Sequence, residues 1–433
     1  MTTSNKTLLA HDNTTTNWFR SAAPYIHAHR GSTFVISFDG ETIQADNFDS
    51  LIHDIALLNS LGIRLVLIYG ARPHIEQQCK THKIAVHYHH DLRITDDASL
   101  KIAMSVIGKL RLEIEAKLSF SLPHTPMADA QIRCVSGNIV TAQPVGIKDG
   151  VDLEHTGEVR RIDEVSIEQQ LSLGNIVLLP PLGYSPTGEI FNLSAEAVAT
   201  AVASTLKADK LILIGDNPDH LPQELTVEQA QKEEQTHALR AAISACNTGV
   251  KRIHLLDRAK DGALLQELFS REGAGILVSA TSFETTRQAT VEDVGGILEL
   301  IQPLEQSGSL VKRSRERLEI EIKHFTIMER DGSIIACAAL YPYPDNKMGE
   351  LACLAVSNDY QNKGRGEQLL TIIEQQASKA DLNQLCVLST QTAHWFLEHG
   401  FQTDTIDSLP MEKRSLYNYQ RNAKVFNKRL GND

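Results

Sequence analysis

At 433 residues the chain is long enough for two or three domains of roughly 150 residues each. Hydrophobic residues make up 42% and charged residues 22%, which excludes wholesale disorder. A formal charge of −12 argues against a general nucleic-acid binder, and no apolar run reaches the ~18 residues of a membrane span, so neither nucleic acid nor membrane is expected as a partner. Residues 1–16 are polar and lack the apolar core of a secretory signal. The cysteines at 79, 134, 246, 337, 353 and 386 show no CxxC or Cys–His spacing. They read as reduced thiols of a cytoplasmic protein, with no metal site expected.

A helix-patterned segment at 18–29 comes first. From about residue 30 to 280, short apolar runs then alternate with further helix-patterned segments. Strands are expected at 33–38, 63–69, 176–179, 210–214, 253–256 and 275–279, and their lack of alternation predicts parallel strands covered on both faces. Between them, Asp46 is expected to cap a helix over 48–61, Thr95 to lead into 101–118, and Ser194 to open an Ala/Val-rich helix ending at 206. Each offers a side-chain oxygen to first-turn amides. This alternation predicts one layered α/β domain over 1–280. Residues 281–286 are polar and aperiodic, as expected of a linker. An α+β unit follows over 287–433: a helix at 291–304, a hairpin (324–329 and 333–340) turned by Asp331-Gly332, a strand at 350–356, a helix at 367–378, a strand at 384–389 and a helix at 392–399.

The strongest chemical signal lies in that second unit. The strand Leu351-Ala-Cys-Leu-Ala-Val356 runs into Gln361-Asn362-Lys363-Gly364-Arg365-Gly366 and then a helix beginning with Glu367. Two glycines let backbone amides approach a ligand, and the helix aims its unpaired N–H groups and positive dipole end at it. Pyrophosphate is the natural guest, and Lys363 and Arg365 would add charge. An ordinary strand-to-helix turn is the alternative. This pattern resembles the coenzyme-A loop of GNAT-type acetyltransferases, and Ala393-x-x-Phe396-x-x-x-Gly400-Phe401 resembles their late helix-and-strand motif.

The resemblance implies that acetyl-CoA binds along Gln361–Glu367. It also implies that backbone groups of Cys353, Leu354 and Val356 hold the thioester and polarise its carbonyl. Glu350 is the candidate base for the attacking amine, directly or through water; a solvated strand-end carboxylate is the competing reading. The tyrosine that many GNAT enzymes use to protonate the leaving thiolate is replaced by Phe396, so Ser389 becomes the candidate acid. Cys353 has no histidine near it in sequence, which favours direct transfer. Basic groups at Lys312-Arg313-x-Arg315 and Lys413-Arg414, followed by Arg421, suit capture of an anionic acceptor unless they are simply solvated. Arg313 and Arg421, with Cys353, are the candidate substrate contacts.

The first domain carries its own resemblance. Val35-Ile-Ser37-Phe-Asp39-Gly40-Glu41, Gly70-Ala71-Arg72-Pro73, Asp91-Leu-Arg93-Ile-Thr-Asp96, Gly157-Glu158-Val159 and Phe191-Asn192-Leu-Ser-Ala-Glu196 are similar to turns of the amino-acid kinases, acetylglutamate kinase in particular. The lysine and first glycine of the Lys-x-Gly-Gly turn are Ser37 and Asp39 here, and the carboxylate is expected to repel nucleotide phosphates. A kinase-inactive, regulatory domain is implied.

The fusion, an amino-acid-kinase-like layered α/β domain followed by an α+β GNAT domain, resembles the bacterial N-acetylglutamate synthase family. That resemblance implies transfer from acetyl-CoA to L-glutamate at the entry to arginine biosynthesis. An acetyltransferase for another amino acid, or an arginine-sensing regulatory protein, remains the alternative. The segment from His254 through Glu267 to Gly273 and Gly275 resembles the arginine-binding stretch of arginine-sensitive acetylglutamate kinases. Glu267 would there offer its carboxylate to a guanidinium and the glycines their backbone carbonyls; an exposed helix end is the alternative. Feedback inhibition by L-arginine and assembly into a homo-oligomer, a hexamer, through the 18–29 helix are expected.

Overall fold

The computed structural model describes residues 4–121, 124, 127–216, 221–270, 273–280, 284–330, 333–361, 364–390, 392–415 and 423–430. They form two compact units, Met1–Thr281 and Ser282–Asp433.

Every residue of the strand Thr33–Phe38 is buried, because it lies inside an eight-stranded sheet with Arg64–Tyr69 and Lys210–Gly215 parallel on its two sides. Phe34, Ile36 and Phe38 enter one apolar core with Leu65, Leu67 and Ile212. Val35 enters the other, with Val66, Val177 and Leu211. A core on each face is why these runs carry no polar alternation.

Ile276–Ser279 departs from the expected parallel arrangement, running antiparallel to Ile253–Asp257. An apolar run reads the same in either direction, so its pattern holds no information on strand polarity. A second, four-stranded sheet (Ile190–Asn192, Leu182–Tyr184, Val140–Pro144 and Gly157–Ile162) is built from strands too short or too mixed to announce themselves.

Ser194 caps Ala195–Thr205 by accepting from the Ala197 amide. The other two expected starts shift. Asn47, not Asp46, precedes Phe48–Ser60, and its side chain donates to the Arg258 carbonyl at 2.9 Å. Asp96 caps Asp97–Leu118, while Thr95 is buried against Thr156 and Asn192. Asp96 takes the capping role one residue on, whereas the side chain of Asn47 is drawn away to Arg258 and does not cap its helix.

The second unit is a seven-stranded sheet in the order Glu284–Gln288, Phe325–Arg330, Ser333–Tyr343, Met348–Val356, Gln384–Ser389, Lys424–Arg429, Gln402–Asp404. The expected linker over 281–286 is therefore corrected. Glu284–Gln288 pairs along its length with Phe325–Arg330, and its polar composition reflects an edge strand. The turn 331–332 lies outside the described residues; the strands around it pair antiparallel. The helix Arg365–Lys379 packs on one face of this sheet with Leu369, Leu370 and Ile373. Val294–Gln306 and Arg315–Glu321 cover the other through Val294, Ile297, Ile301 and Leu318.

Candidate functional site

The central strand Met348–Val356 is paired on both sides only at its beginning. Met348, Gly349 and Glu350 lie parallel to Gln384, Leu385 and Cys386; beyond Glu350 that partner is lost, while pairing with Ser333–Tyr343 continues to Val356. The sheet thus opens into a wedge. The pairing with Ser333–Tyr343 is itself interrupted by a bulge between Cys337 and Ala339, opposite Cys353, a buried non-glycine residue with φ of 51°. Bulges re-aim backbone and side chains, and a left-handed residue of this kind is held by its surroundings. The Cys353 carbonyl accepts from the Cys337 thiol at 3.5 Å.

Glu350 stands at the mouth of the wedge. It is 6% exposed, with Lys413 Nζ 2.6 Å from Oε1 and Tyr343 Oη donating to Oε2 at 3.3 Å. A solvated strand-end carboxylate is therefore excluded. Tyr341 is directly opposite Glu350 on the neighbouring strand, so the two side chains share a face. Arg313 comes close to Tyr341 and Cys353. Against its burial, the surroundings of Cys353, Tyr341 and Glu321 hold its guanidinium firmly protonated. Among the described residues its Nε is buried without a hydrogen-bond partner. Arg421 lies outside the described residues. Lys413, Tyr341 and Tyr343 went unrecognised as site residues; the Lys413-Arg414 run was the only signal of them.

The helix Arg365–Lys379 begins at Gly364, whose φ is 76° and which supplies no side-chain cap. The first-turn amides are thus left for a ligand. A side chain on Gly364 would meet nothing within 4 Å, whereas one on Gly366 would press against Trp395 at 3.3 Å. Gln361 donates to the Val356 carbonyl at 3.2 Å and so ties the loop to the end of the strand. Leu354 is partly buried and Glu367 exposed in the first turn; Asn362 and Lys363 lie outside the described residues. The expectation for the Arg365 side chain is corrected. Its guanidinium is 8% exposed, is doubly hydrogen-bonded to Glu284 and lies 4.9 Å from the Tyr360 ring. Its charge is spent within the unit, in a pair that sequence separation hid.

Ser389 ends its strand, on the far side of the wedge from Cys353 if the Glu350–Cys386 register is extended. Its Oγ accepts from the Thr392 amide at 3.1 Å and shares a hydrogen bond with Thr392 Oγ1 at 2.8 Å. Phe396 is buried against Phe401 and Phe426 and offers nothing to the wedge.

In the first unit, the turns expected to repel phosphate have polar groups engaged within the protein. Asp39 caps the short helix Gly40–Gln44 by accepting from the Thr42 amide and hydroxyl. A side chain on Gly40 would lie 2.5 Å from the Pro73 ring, so the two turns close on each other. The expected charge repulsion is corrected, because Arg258 NH1 neutralises Asp39 at 2.8 Å. The Thr42 amide is occupied and the Asp39 carboxylate is paired, although these turns border an open cleft.

The residues expected to bind arginine do converge. Glu267 Oε1 is 2.5 Å from His254 Nδ1, and Oε2 accepts from the amides of Ala274 and Gly275. Against its burial, these partners hold Glu267 at about 2. Burial, and then Lys210, push His254 down to about 4. The exposed-helix reading is excluded, and the glycine expectation is corrected. At Gly275 it is the amide that faces Glu267, and a side chain there would lie 2.4 Å from the Leu255 carbonyl. A side chain on Gly273 would lie 2.6 Å from Glu267 Oε2.

A splayed central strand, a buried carboxylate at the splay and an uncapped glycine turn define an acyltransferase unit of GNAT type, here preceded by an amino-acid-kinase fold. Residues 32–257 match the amino acid kinase family, and residues 321–403 match the acetyltransferase (GNAT) domain. The amino-acid acetyltransferase of Azotobacter vinelandii is 53% identical over 427 residues, 96% of this chain and 99% of that protein. The crystal structure of N-acetylglutamate synthase from Neisseria gonorrhoeae complexed with coenzyme A and L-arginine is 40% identical, with a TM-score of 0.87 over 96% of this chain and 99% of that one. Its complex with coenzyme A and N-acetyl-glutamate gives 0.60 over the same coverage. The chain belongs to the amino-acid acetyltransferase family.

Proposed function

We propose that this protein transfers the acetyl group of acetyl-CoA to the α-amine of L-glutamate, forming N-acetyl-L-glutamate and CoA as the first step of arginine biosynthesis in the cytoplasm. The observation that carries this reading is the convergence of Glu350 and Arg313 on the open edge of a strand that leads to an uncapped helix. Arg313 and Arg421 grip the acceptor's carboxylates, and Cys353 lines its path. Glu350 receives the amine proton, directly or through one water. The amine then attacks the thioester carbonyl, whose developing oxyanion is met by backbone N–H groups from Cys353 to Val356. The thiolate leaves and is protonated through the Ser389 hydroxyl, which gives up its proton as it receives the second proton of the attacking amine and so ends unchanged; Thr392 orients that hydroxyl. The N. gonorrhoeae enzyme, crystallised with coenzyme A and N-acetyl-glutamate, supports this choice of substrates. Product formation from acetyl-CoA with L-glutamate, against L-aspartate and L-glutamine, tests it; equal rates with all three would overturn the acceptor assignment.

The first unit serves as a kinase-inactive regulatory domain that binds L-arginine at the His254–Glu267–Gly275 cluster and inhibits transfer. Arginine in the related complex supports this. Arginine acts by favouring one of two arrangements that differ in transfer activity. Trp18 and Phe19 of the helix Ser4–His29 are 46% and 63% exposed, which supports assembly of copies through that helix into a hexamer. E267Q is expected to weaken arginine inhibition while keeping the uninhibited rate, with light scattering confirming an unchanged mass. Equal inhibition of variant and wild type would overturn the arginine site.

A further inference from the structure

Two short hairpins of the first unit bring together side chains that sequence spacing keeps far apart. One hairpin pairs His87–His89 with Leu92–Ile94; the other pairs Ile147–Lys148 with Val151–Asp152. His89 Nε2 lies 3.0 Å and His90 Nε2 3.4 Å from the same oxygen of Asp149, Oδ2. The three donor atoms all fall within 4.8 Å of one another. His90 and Asp149 occupy left-handed turn positions, with φ of 51° and 53°, which places each at the tip of its hairpin.

This is the donor set and spacing of a transition-metal ion. A tetrahedral centre with ligands at about 2.0–2.2 Å has ligand atoms roughly 3.3–3.5 Å apart, close to the separations seen here. Two imidazoles and a carboxylate select zinc, nickel or copper over magnesium or calcium, which prefer shells made of oxygen. We propose that His89, His90 and Asp149 form a structural site for a divalent transition-metal ion, zinc being the reference occupant, with water completing its shell. The ion would staple the two hairpins together. Asp91, Leu92, Arg93 and Lys148, from the same hairpins, line a cleft of about 550 Å³ in this unit, so the staple would fix one wall of that cleft. The site takes no part in acetyl transfer. The adjacent histidines do not announce the site by themselves, because Asp149 lies 60 residues from His89.

The test uses the full chain, stripped with chelator, titrated calorimetrically with zinc and separately with magnesium. With 17 histidines and six cysteines in the chain, the informative quantity is the difference between wild type and variants. In H89A/H90A, and separately in D149A, we expect one equivalent of zinc to be lost or weakened by more than about tenfold. The zinc-dependent rise in melting temperature should vanish with it, while the metal-free melting temperature and the acetyl-transfer rate stay at wild-type values. X-ray absorption at the zinc edge should show a nitrogen/oxygen shell with two imidazoles in wild type. Unchanged stoichiometry and affinity in both variants would overturn the proposal, as would a sulfur shell at the zinc edge or equal binding of magnesium.

Discussion

Each unit contains a strand that turns through glycine into a helix, and the two turns behave in opposite ways. At Asp39–Gly40 the side chain before the helix accepts from its own first-turn amide, Arg258 covers the carboxylate, and Pro73 packs close against Gly40. At Gly364 no side chain caps the helix, and the space where one would sit is empty. Both helices carry orphan N–H groups at their start, but Asp39 takes one in the first, whereas among the described residues no side chain caps the second. A glycine turn before a helix thus becomes a ligand site when nothing within the protein satisfies it first.

The sharpest way to break this contrast is at the chemistry it supports. Glu350→Gln should lower kcat by about 10²–10⁴-fold with acetyl-CoA affinity unchanged, as measured by steady-state kinetics and calorimetry. A small change in kcat would remove Glu350 as the base.

Next come the turns themselves. Gly364→Val forces a β-branched residue into a left-handed conformation and narrows the ligand's approach, so acetyl-CoA affinity should fall by roughly 100-fold, about 2.7 kcal/mol. Gly40→Val strikes Pro73 and should instead lower stability by about 1–3 kcal/mol, with acetyl-CoA affinity intact. Chemical denaturation and calorimetry on both variants separate the two effects; the same phenotype in both would erase the distinction.

Arg313→Ala should raise the KM for glutamate about 10- to 150-fold, the loss of one charge-assisted bond of about 1.5–3 kcal/mol. Acetyl-CoA binding should barely move. An unchanged KM would assign Arg313 to a solvated face.

Acid stability separates the units as well. His29 and His254 are each lowered from 6.5 to about 4, chiefly by burial and then by Lys210. Folded, they stay neutral where the unfolded chain takes up protons. Stability present above pH 6.5 is therefore lost as pH falls toward 4. Glu267, lowered from 4.5 to about 2 by its partners, adds a further loss between pH 4.5 and 2. Calorimetry from pH 7.5 to 4 should show the first unit's transition moving down in temperature ahead of the second's. H254Q should flatten that dependence; an unaltered slope would contradict the burial argument.

Sequence by itself determined the layered first unit, four of the seven strands of the α+β unit in outline, and the loop from Gln361 to Gly366. Apolar periodicity, turn residues and glycine spacing are local properties that survive without coordinates. It also pointed to Glu350 and Arg313 through residue type and position. The tertiary structure decided which polar groups were already taken. Arg365 and Glu284 are 81 residues apart in the chain, Arg258 and Asp39 are 219 apart, and Lys413 reaches Glu350 from another element. Whether a charged side chain is already paired, as Arg365 and Asp39 are, depends on distances in space that no spacing along the chain encodes.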